Sequence, residues 1–185
     1  MGYAIAEELA HHGAEVILVS GPVSVSTSNK LIRVIHVGSA EEMYHASASH
    51  FNHCDGAVLS AAVADYTPAH PEKEKRKSGS ANLQLELKPT RDIAASLGKM
   101  KSQRQILVGF ALETGNELEN ARAKLHKKNF DFIVLNSLND EGAGFGFDTN
   151  KIVIIGNDNK MKSFQLKTKR EVAADIVGEI ISLMK

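Results

Sequence analysis

Five short runs rich in Val, Ile and Leu recur along the chain, separated by turns and by stretches with helical spacing. This alternation restricts the fold more than any other feature. The runs are E-V-I-L-V-S at 15–20, L-I-R-V-I-H-V at 31–37, the segment 56–63, Q-I-L-V-G-F-A at 105–111 and F-D-F-I-V-L at 130–135. Runs apolar at successive positions suit strands buried on both faces of a parallel sheet. Between them, Tyr3, Ala6, Leu9 and Ala10 fall on one helical face, with Gly13 as the stop. Ser39 followed by Glu41 and Glu42 reads as an N-cap with an acidic first turn, and Pro89-Thr-Arg-Asp92 opens a helix over I-A-A-S-L. Further helices are predicted over 116–129 and from about Lys169 to Met184. Leu83 to Leu87 alternates like an exposed strand, and Lys151–Ile155 with Phe164–Leu166 bracket G-N-D-N-K like a hairpin. The expected architecture is a single α/β domain over 1–185: a Rossmann-like, doubly wound, mostly parallel sheet with helices on both faces, closed by a β-hairpin and a helix.

Composition narrows the function classes. The 22 basic and 22 acidic side chains cancel, which argues against a nucleic-acid sleeve or a polybasic membrane anchor. Apolar residues at 43% suffice for a core, and the apolar runs fall well short of the roughly 18 residues needed to cross a bilayer. The single cysteine, Cys54, makes no internal disulfide, and no basic segment precedes an apolar run at the start, so a reducing cytoplasmic compartment is expected. The neutral total hides a gradient. Residues 1–71 carry 2 basic and 7 acidic groups, residues 72–104 carry 9 and 4, and residues 105–185 carry 11 of each. An anion belongs with the central segment.

Several motifs have a plainer reading that prevails. G-A-G-F-G-F at 142–147 lacks the G-x-G-x-x-G spacing and a following helix, and reads as a turn. His50, His53 and Cys54 sit at a helix end without a second ligand pair, so no metal site is assigned. Ser60 lies in V-L-S-A-A-V without a nucleophile elbow. Other positions converge instead. Small residues from Ser60 onward at a strand's carboxyl end let a ligand approach the backbone, and Asp65 stands at the crevice rim. E-K-E-K-R-K at 72–77 is a solvated charge run or a lid that brings lysines onto phosphates. Arg91 to Ala94 form a helix start whose free N–H groups favour an anion, and Lys124 and Lys128 share a helix face. Each has a routine alternative, such as a helix start or cations complementing a helix dipole. Together they could hold one polyphosphate.

The segments G-Y-A-I-A-E-E-L-A-H-H-G-A-E-V-I-L-V-S-G-P, A-A-V-A-D-Y, K-P-T-R-D-I, V-G-F-A-L-E-T, A-K-L-H-K-K-N-F-D-F-I-V-L-N and F-D-T-N-K occur with the lysine-rich flap in one collinear order. In that order the chain resembles the phosphopantothenoylcysteine synthetase domain of bacterial coenzyme A biosynthesis. The resemblance implies a ligase that joins 4′-phosphopantothenate to L-cysteine through an acyl-cytidylate, with CTP giving CMP and pyrophosphate. It implies nucleotide contacts at Leu59, Ser60, Ala61, Asp65, Lys73, Arg91, Asp92, Ile93, Ala94, Phe110, Lys124 and Lys128, with catalytic roles for Asp65 and the flap lysine. That lysine maps to Lys73, or to Lys75 if no gap follows Asp65; Lys73 is preferred because a surface loop tolerates a short deletion. Magnesium is implied as the ion bridging triphosphate oxygens, and a homodimer as the assembly.

Two parts of the family pattern are expected ahead of Met1: a first strand with a Ser/Asn/Gly-rich loop, and in many bacteria a flavin-binding decarboxylase domain. A truncated or separately started synthetase domain is therefore expected, with the nucleotide site retained and the second half-reaction impaired. Two other readings stay open. One is a non-catalytic nucleotide-binding remnant or partner subunit; the other is a Rossmann-type NAD(P)-dependent oxidoreductase, which lacks a visible dinucleotide fingerprint.

Overall fold

The computed structural model describes residues 1–72, 74, 83–113, 115–137 and 148–184. In chain order the elements are α1 (Gly2–His11), β1 (Val16–Ser20), β2 (Ile32–His36), α2 (Ala40–Phe51), β3 (Gly56–Leu59), β4 (Tyr66–Pro68), β5 (Leu87–Pro89), α3 (Ile93–Met100), β6 (Ile106–Glu113), α4 (Glu117–Lys127), β7 (Phe132–Ser137), β8 (Thr149–Asn150), β9 (Ile152–Gly156), β10 (Met161–Ser163), β11 (Lys167–Thr168) and α5 (Lys169–Leu183). A five-stranded sheet runs in the order β10-β9-β7-β6-β3. Its β3, β6 and β7 are parallel, and β9 and β10 return antiparallel. The expected α/β architecture is present, with one difference. β1 and β2 pair in parallel with each other but share no ladder with the larger sheet among the described residues. β3 is thus an edge, and its four residues are half-buried where β6 and β7 are largely sealed.

Local signals place the helices. Ser39 caps α2 by accepting the Glu42 N–H at 3.2 Å, while the Glu42 carboxylate takes the Gly38 N–H at 2.7 Å. Thr168 and Glu171 form a capping box at the start of α5. Gly13, at φ +87°, turns the chain out of α1. Some boundaries differ from the sequence expectation. The third strand ends at Leu59 rather than 63, because its partner β6 pairs with it only as far as Gly109. The hairpin is present, but its return strand is Met161–Ser163 rather than 164–166; Asn159, at φ +62°, makes the turn tight and sets Met161 opposite Ile155. The exposed strand is shorter and later than 83–87, covering Leu87–Pro89 and pairing with Tyr66–Pro68 inside the segment expected to be a loop. The motif 142–147 and the flap residues Lys73 and Lys75 lie outside the described residues.

Alternation along β7 divides the core. Phe132 and Val134 face α1 and α5, whereas Ile133 and Leu135 face α2, α3 and α4. Both sets are essentially sealed from water, and burying each such side chain is worth about 1.5–3 kcal/mol. α1 links the two sheets, with Ile5 in the large-sheet core and Ala6 and Ala10 against Ile32 of β2. Among the described residues no helix is long and apolar enough to cross a membrane.

On the other face, α3 is fastened to the end of α4. A Cβ on Gly98 would stand 2.0 Å from the Lys128 carbonyl oxygen, so only glycine lets the two backbones meet. Asn129, at φ +56°, donates from Nδ2 to the Gly98 carbonyl at 2.9 Å. Lys101 then reaches the Asn129 carbonyl at 3.3 Å and the Asp131 carboxylate at 2.7 Å, and Asp131 also accepts the Leu107 N–H at 2.7 Å. Gly98→Ala is expected to destabilise the fold by about 1–3 kcal/mol through overpacking, offset by up to about 1 kcal/mol of helix propensity. Urea unfolding measures the net loss; stability equal to or above wild type would show that this contact is slack.

Candidate active site

The carboxyl ends of the parallel strands β3, β6 and β7 lie along one edge of the sheet, where open α/β sheets accept ligands in a crevice. Leu59 ends β3 with its side chain half-buried against the α3 side of the core. Ser60 follows on the other side of the sheet against the start of α1; a Cβ on Gly2 would lie 3.0 Å from the Ser60 hydroxyl. Ala61 and Asp65 are exposed.

Pairing of β4 with β5 brings Asp65 across to the α3 entrance. Tyr66 lies opposite Pro89, and the Asp65 carbonyl accepts the Thr90 N–H at 2.8 Å. The helix begins at Ile93, as expected for I-A-A-S-L, so Arg91 lies outside the first turn in which it was expected. Asp92 is its N-cap, accepting the Ala95 N–H at 2.9 Å, and Ile93 and Ala94 make the first turn. Ile93 is a core residue at 8% exposure, so its N–H rather than its side chain faces outward. Arg91 precedes the helix and departs from its expected place. Its guanidinium sits 3.5 Å from Glu41 and 4.3 Å above the Tyr44 ring, so α2 holds it by charge and cation–π attraction.

Lys128, the C-cap of α4, extends along α3 to reach Asp92 at 3.2 Å. Lys124, one turn earlier, is half-buried on the same face. Lys128 and the amino end of α3 thus lie together. Burial alone would push the Asp92 carboxyl up; the Ala95 N–H and the Lys128 and Lys127 ammonium groups outweigh it and hold the carboxyl below its ordinary value. Phe110, half-buried, packs against the α1 and α5 side of the sheet, opposite α3 and α4. A ligand touching both Phe110 and the lysines must cross the sheet's carboxyl edge.

Two groups escaped the sequence reading. Among the described residues, Thr90 Oγ1 and Asn136 Oδ1 are sealed from solvent without a hydrogen-bond partner. Thr90 stands at the α3 entrance and Asn136 at the carboxyl end of β7, so both border the crevice. A polar residue closing the apolar run F-I-V-L-N was the available signal. The His50, His53 and Cys54 motif lies at the other end of the sheet. His53 and Cys54 line a polar hollow of about 260 Å³ there with Asp55 and Arg104. Cys54 donates to the His50 carbonyl at 3.4 Å, and burial, with Asp55 beside it, pushes its thiol up.

Asp92→Ala is expected to cost about 1 kcal/mol through the lost cap. Because the folded carboxyl titrates below its ordinary value of 3.8, its contribution is complete above that value and fades as pH falls through the lowered one. Urea unfolding across a pH series should show a wild-type advantage that is constant near neutrality and shrinks in acid. An advantage that grows in acid would contradict this.

Comparison with known proteins agrees with the geometry. Residues 1–184 match the family described as the DNA/pantothenate metabolism flavoprotein C-terminal domain. The chain is 55% identical over 184 residues to a cysteine/cysteine sulfinic acid decarboxylase from an unknown prokaryotic organism, covering 100% of this chain and 51% of that protein. It is 43% identical over 185 residues to the coenzyme A biosynthesis bifunctional protein CoaBC of Bacillus subtilis (strain 168), covering 100% of this chain and 45% of that protein. The crystal structure of the C-terminal domain of the coenzyme A biosynthesis bifunctional protein CoaBC superposes with a TM-score of 0.82 at 37% identity, covering 99% of this chain and 81% of that one. The chain spans about half the length of the curated relatives it matches. With a family match running from residue 1 to residue 184 and a solved relative of the same fold, the chain belongs to the DNA/pantothenate metabolism flavoprotein C-terminal domain family.

Proposed function

We propose that this chain is a phosphopantothenoylcysteine synthetase domain of coenzyme A biosynthesis, joining 4′-phosphopantothenate to L-cysteine with CTP. The observation that carries the reading is the 3.2 Å contact between Lys128 and Asp92, which brings the α4 cations to the amino end of α3, across from Asp65. The N–H groups of Ile93 and Ala94 and the Lys124 and Lys128 ammonium groups suit a triphosphate, and Phe110 offers an apolar face on the opposite side. On triphosphate binding, Lys128 exchanges its carboxylate partner for phosphate oxygens, while Asp92 keeps the Ala95 N–H.

In this reading a carboxylate oxygen of phosphopantothenate attacks the α-phosphorus of CTP. The P–O bond to pyrophosphate breaks and an acyl-cytidylate forms. The cysteine amine then attacks the acyl carbon, and the C–O bond to CMP breaks as the amide forms and the amine loses a proton. The lysines hold the pyrophosphate charge as it develops. Asp65 fits a magnesium ion: its side chain is exposed and carries no ion pair among the described residues, and magnesium is often held by one carboxylate plus phosphate oxygens. When bound, magnesium neutralises charge on the departing pyrophosphate. Lys73 or Lys75 completes the proposal as the flap lysine over the phosphates.

A homodimer in the cytoplasm is part of the same reading. Tyr66, Leu83, Leu85 and Leu87 are each more than half exposed beside the β4–β5 arm, an apolar stripe suited to a second copy. Light scattering at micromolar concentration should report a dimer; a monomer would remove this element. A flavin-dependent decarboxylase domain as partner is likewise proposed, from the bifunctional relatives.

Pyrophosphate release with CTP and 4′-phosphopantothenate, followed separately from phosphopantothenoylcysteine formation on adding cysteine, tests the function. CTP-dependent pyrophosphate release is expected. Stabilisation by CTP without turnover would instead mark a binding remnant, and tight NADH binding with no response to CTP would favour an oxidoreductase. Asp65→Asn should reduce CTP affinity or turnover about tenfold or more with little change in melting temperature. Unchanged affinity and rate would remove Asp65 from the site.

The 55% identical relative named a decarboxylase supports a second reading, decarboxylation of cysteine or cysteine sulfinate. That name belongs to a protein of which this chain covers 51%. Carbon dioxide release from either amino acid by this chain alone would favour it; none is expected.

A further inference from the structure

We propose that Arg91 is a positioning residue for the proposed nucleotide site: gripped by Glu41 and Tyr44 of α2, it fixes the segment 90–92 that joins Asp65 to Lys128. The inference rests on the ligase reading and gives Arg91 a role other than touching the nucleotide. Three successive residues of this segment are tied to three different elements. The Thr90 N–H donates to the Asp65 carbonyl at 2.8 Å, the Arg91 Nη2 stands 3.5 Å from Glu41 Oε1, and the Asp92 carboxylate meets the Lys128 ammonium at 3.2 Å. The segment therefore bridges the proposed magnesium carboxylate and the proposed phosphate lysine. Arg91, at its centre, ties that bridge to α2.

α2 offers a matched pair of contacts. Glu41 and Tyr44 lie three apart and share a face of the helix. The Arg91 Cζ lies 4.3 Å from the centre of the Tyr44 ring, so the guanidinium meets a carboxylate and an aromatic face together. Tyr44 in turn packs with Met43 and Ala48 on the core cluster that holds Ile93 and Leu97 of α3, which keeps the platform in place relative to the helix it serves. Glu41 Oε1 also has His45 Nε2 at 3.1 Å, but that contact stays within α2. Arg91 and Glu41 are both about half exposed, and an ion pair of that kind adds little to global stability. Its effect is local: it removes freedom from the bridge before a ligand arrives, and so lowers the cost of ordering Asp65 and Lys128 around one triphosphate.

Calorimetric titration of wild type, Glu41→Gln, Arg91→Met and the double variant with CTP and magnesium tests the proposal. Glu41→Gln removes a negative charge from the neighbourhood of a polyanion site, so charge alone would tighten CTP binding or leave it unchanged. Through the lost grip the opposite is expected. Each single variant should bind CTP about threefold or more weakly, and the double variant no more weakly than Arg91→Met, because both changes remove one interaction. In pyrophosphate release the loss should fall on KM for CTP, with kcat within about twofold of wild type, because bound CTP and magnesium span Asp65 and Lys128 and then hold the bridge themselves. The ligand-free melting temperature should change little. CTP affinity in Glu41→Gln equal to or above wild type overturns the proposal, as do additive losses in the double variant. A fall in kcat at unchanged KM, or melting several degrees lower, also overturns it by making the contact structural. No CTP binding by wild type overturns the ligase reading and this inference with it, whereas wild-type binding that Glu41→Gln leaves intact removes the role of Arg91 alone.

Discussion

The contact between Gly98 and the Lys128 carbonyl governs the distance on which the proposed site depends. It leaves no room for a side chain between α3 and the end of α4, and Asn129, Lys101 and Asp131 tie the same junction with hydrogen bonds and an ion pair. The amino end of α3 and the lysines of α4 are consequently held as one rigid body. A helix dipole and two ammonium groups act on a common anion only if their spacing does not vary. Here that spacing is set by backbone packing on the protein side of the junction, away from the solvent that would weaken a purely ionic link.

Asp92 has two duties that pull against each other. As an N-cap it stabilises α3 and satisfies the Ala95 N–H, yet it puts a negative charge where the proposed phosphates would approach. Lys128 resolves the conflict in the resting protein by pairing with it. Arg91 is held in a comparable way by Glu41 and Tyr44 of α2. At these two positions a cation beside the site is matched by a carboxylate.

Where the fold was legible, the signals were local. β-branched runs marked the strands and Ser39 marked the start of α2 through short-range capping; the caps Asp92 and Thr168 were seen only in the structure. What was missed depended on partners distant in sequence. The third strand stopped early because its partner pairs with it only to Gly109, and the hairpin's return strand moved because Asn159 fixed the turn. In the crevice, residues adjacent in sequence separated by face: Arg91 went to α2, Ile93 into the core, and Phe110 to the side opposite the lysines. Asn136 and Thr90 gave little signal because an orphaned oxygen is defined only by the packing around it.

The division of the sheet affects how the chain behaves in company. β1 bonds only to β2 and β3 only to β6 among the described residues, so each leaves a row of backbone N–H and C=O groups without strand partners. Side chains on these edges are only half covered, and Ile17 is 36% exposed. Neither edge carries a proline, and the lysines that commonly guard such strands are absent from both. These are conditions in which extended backbone from any source can dock by simple ladder growth. Among the described residues, the association of the isolated chain by ladder growth therefore rests on two short strands, one of which, β3, ends at the proposed nucleotide site itself.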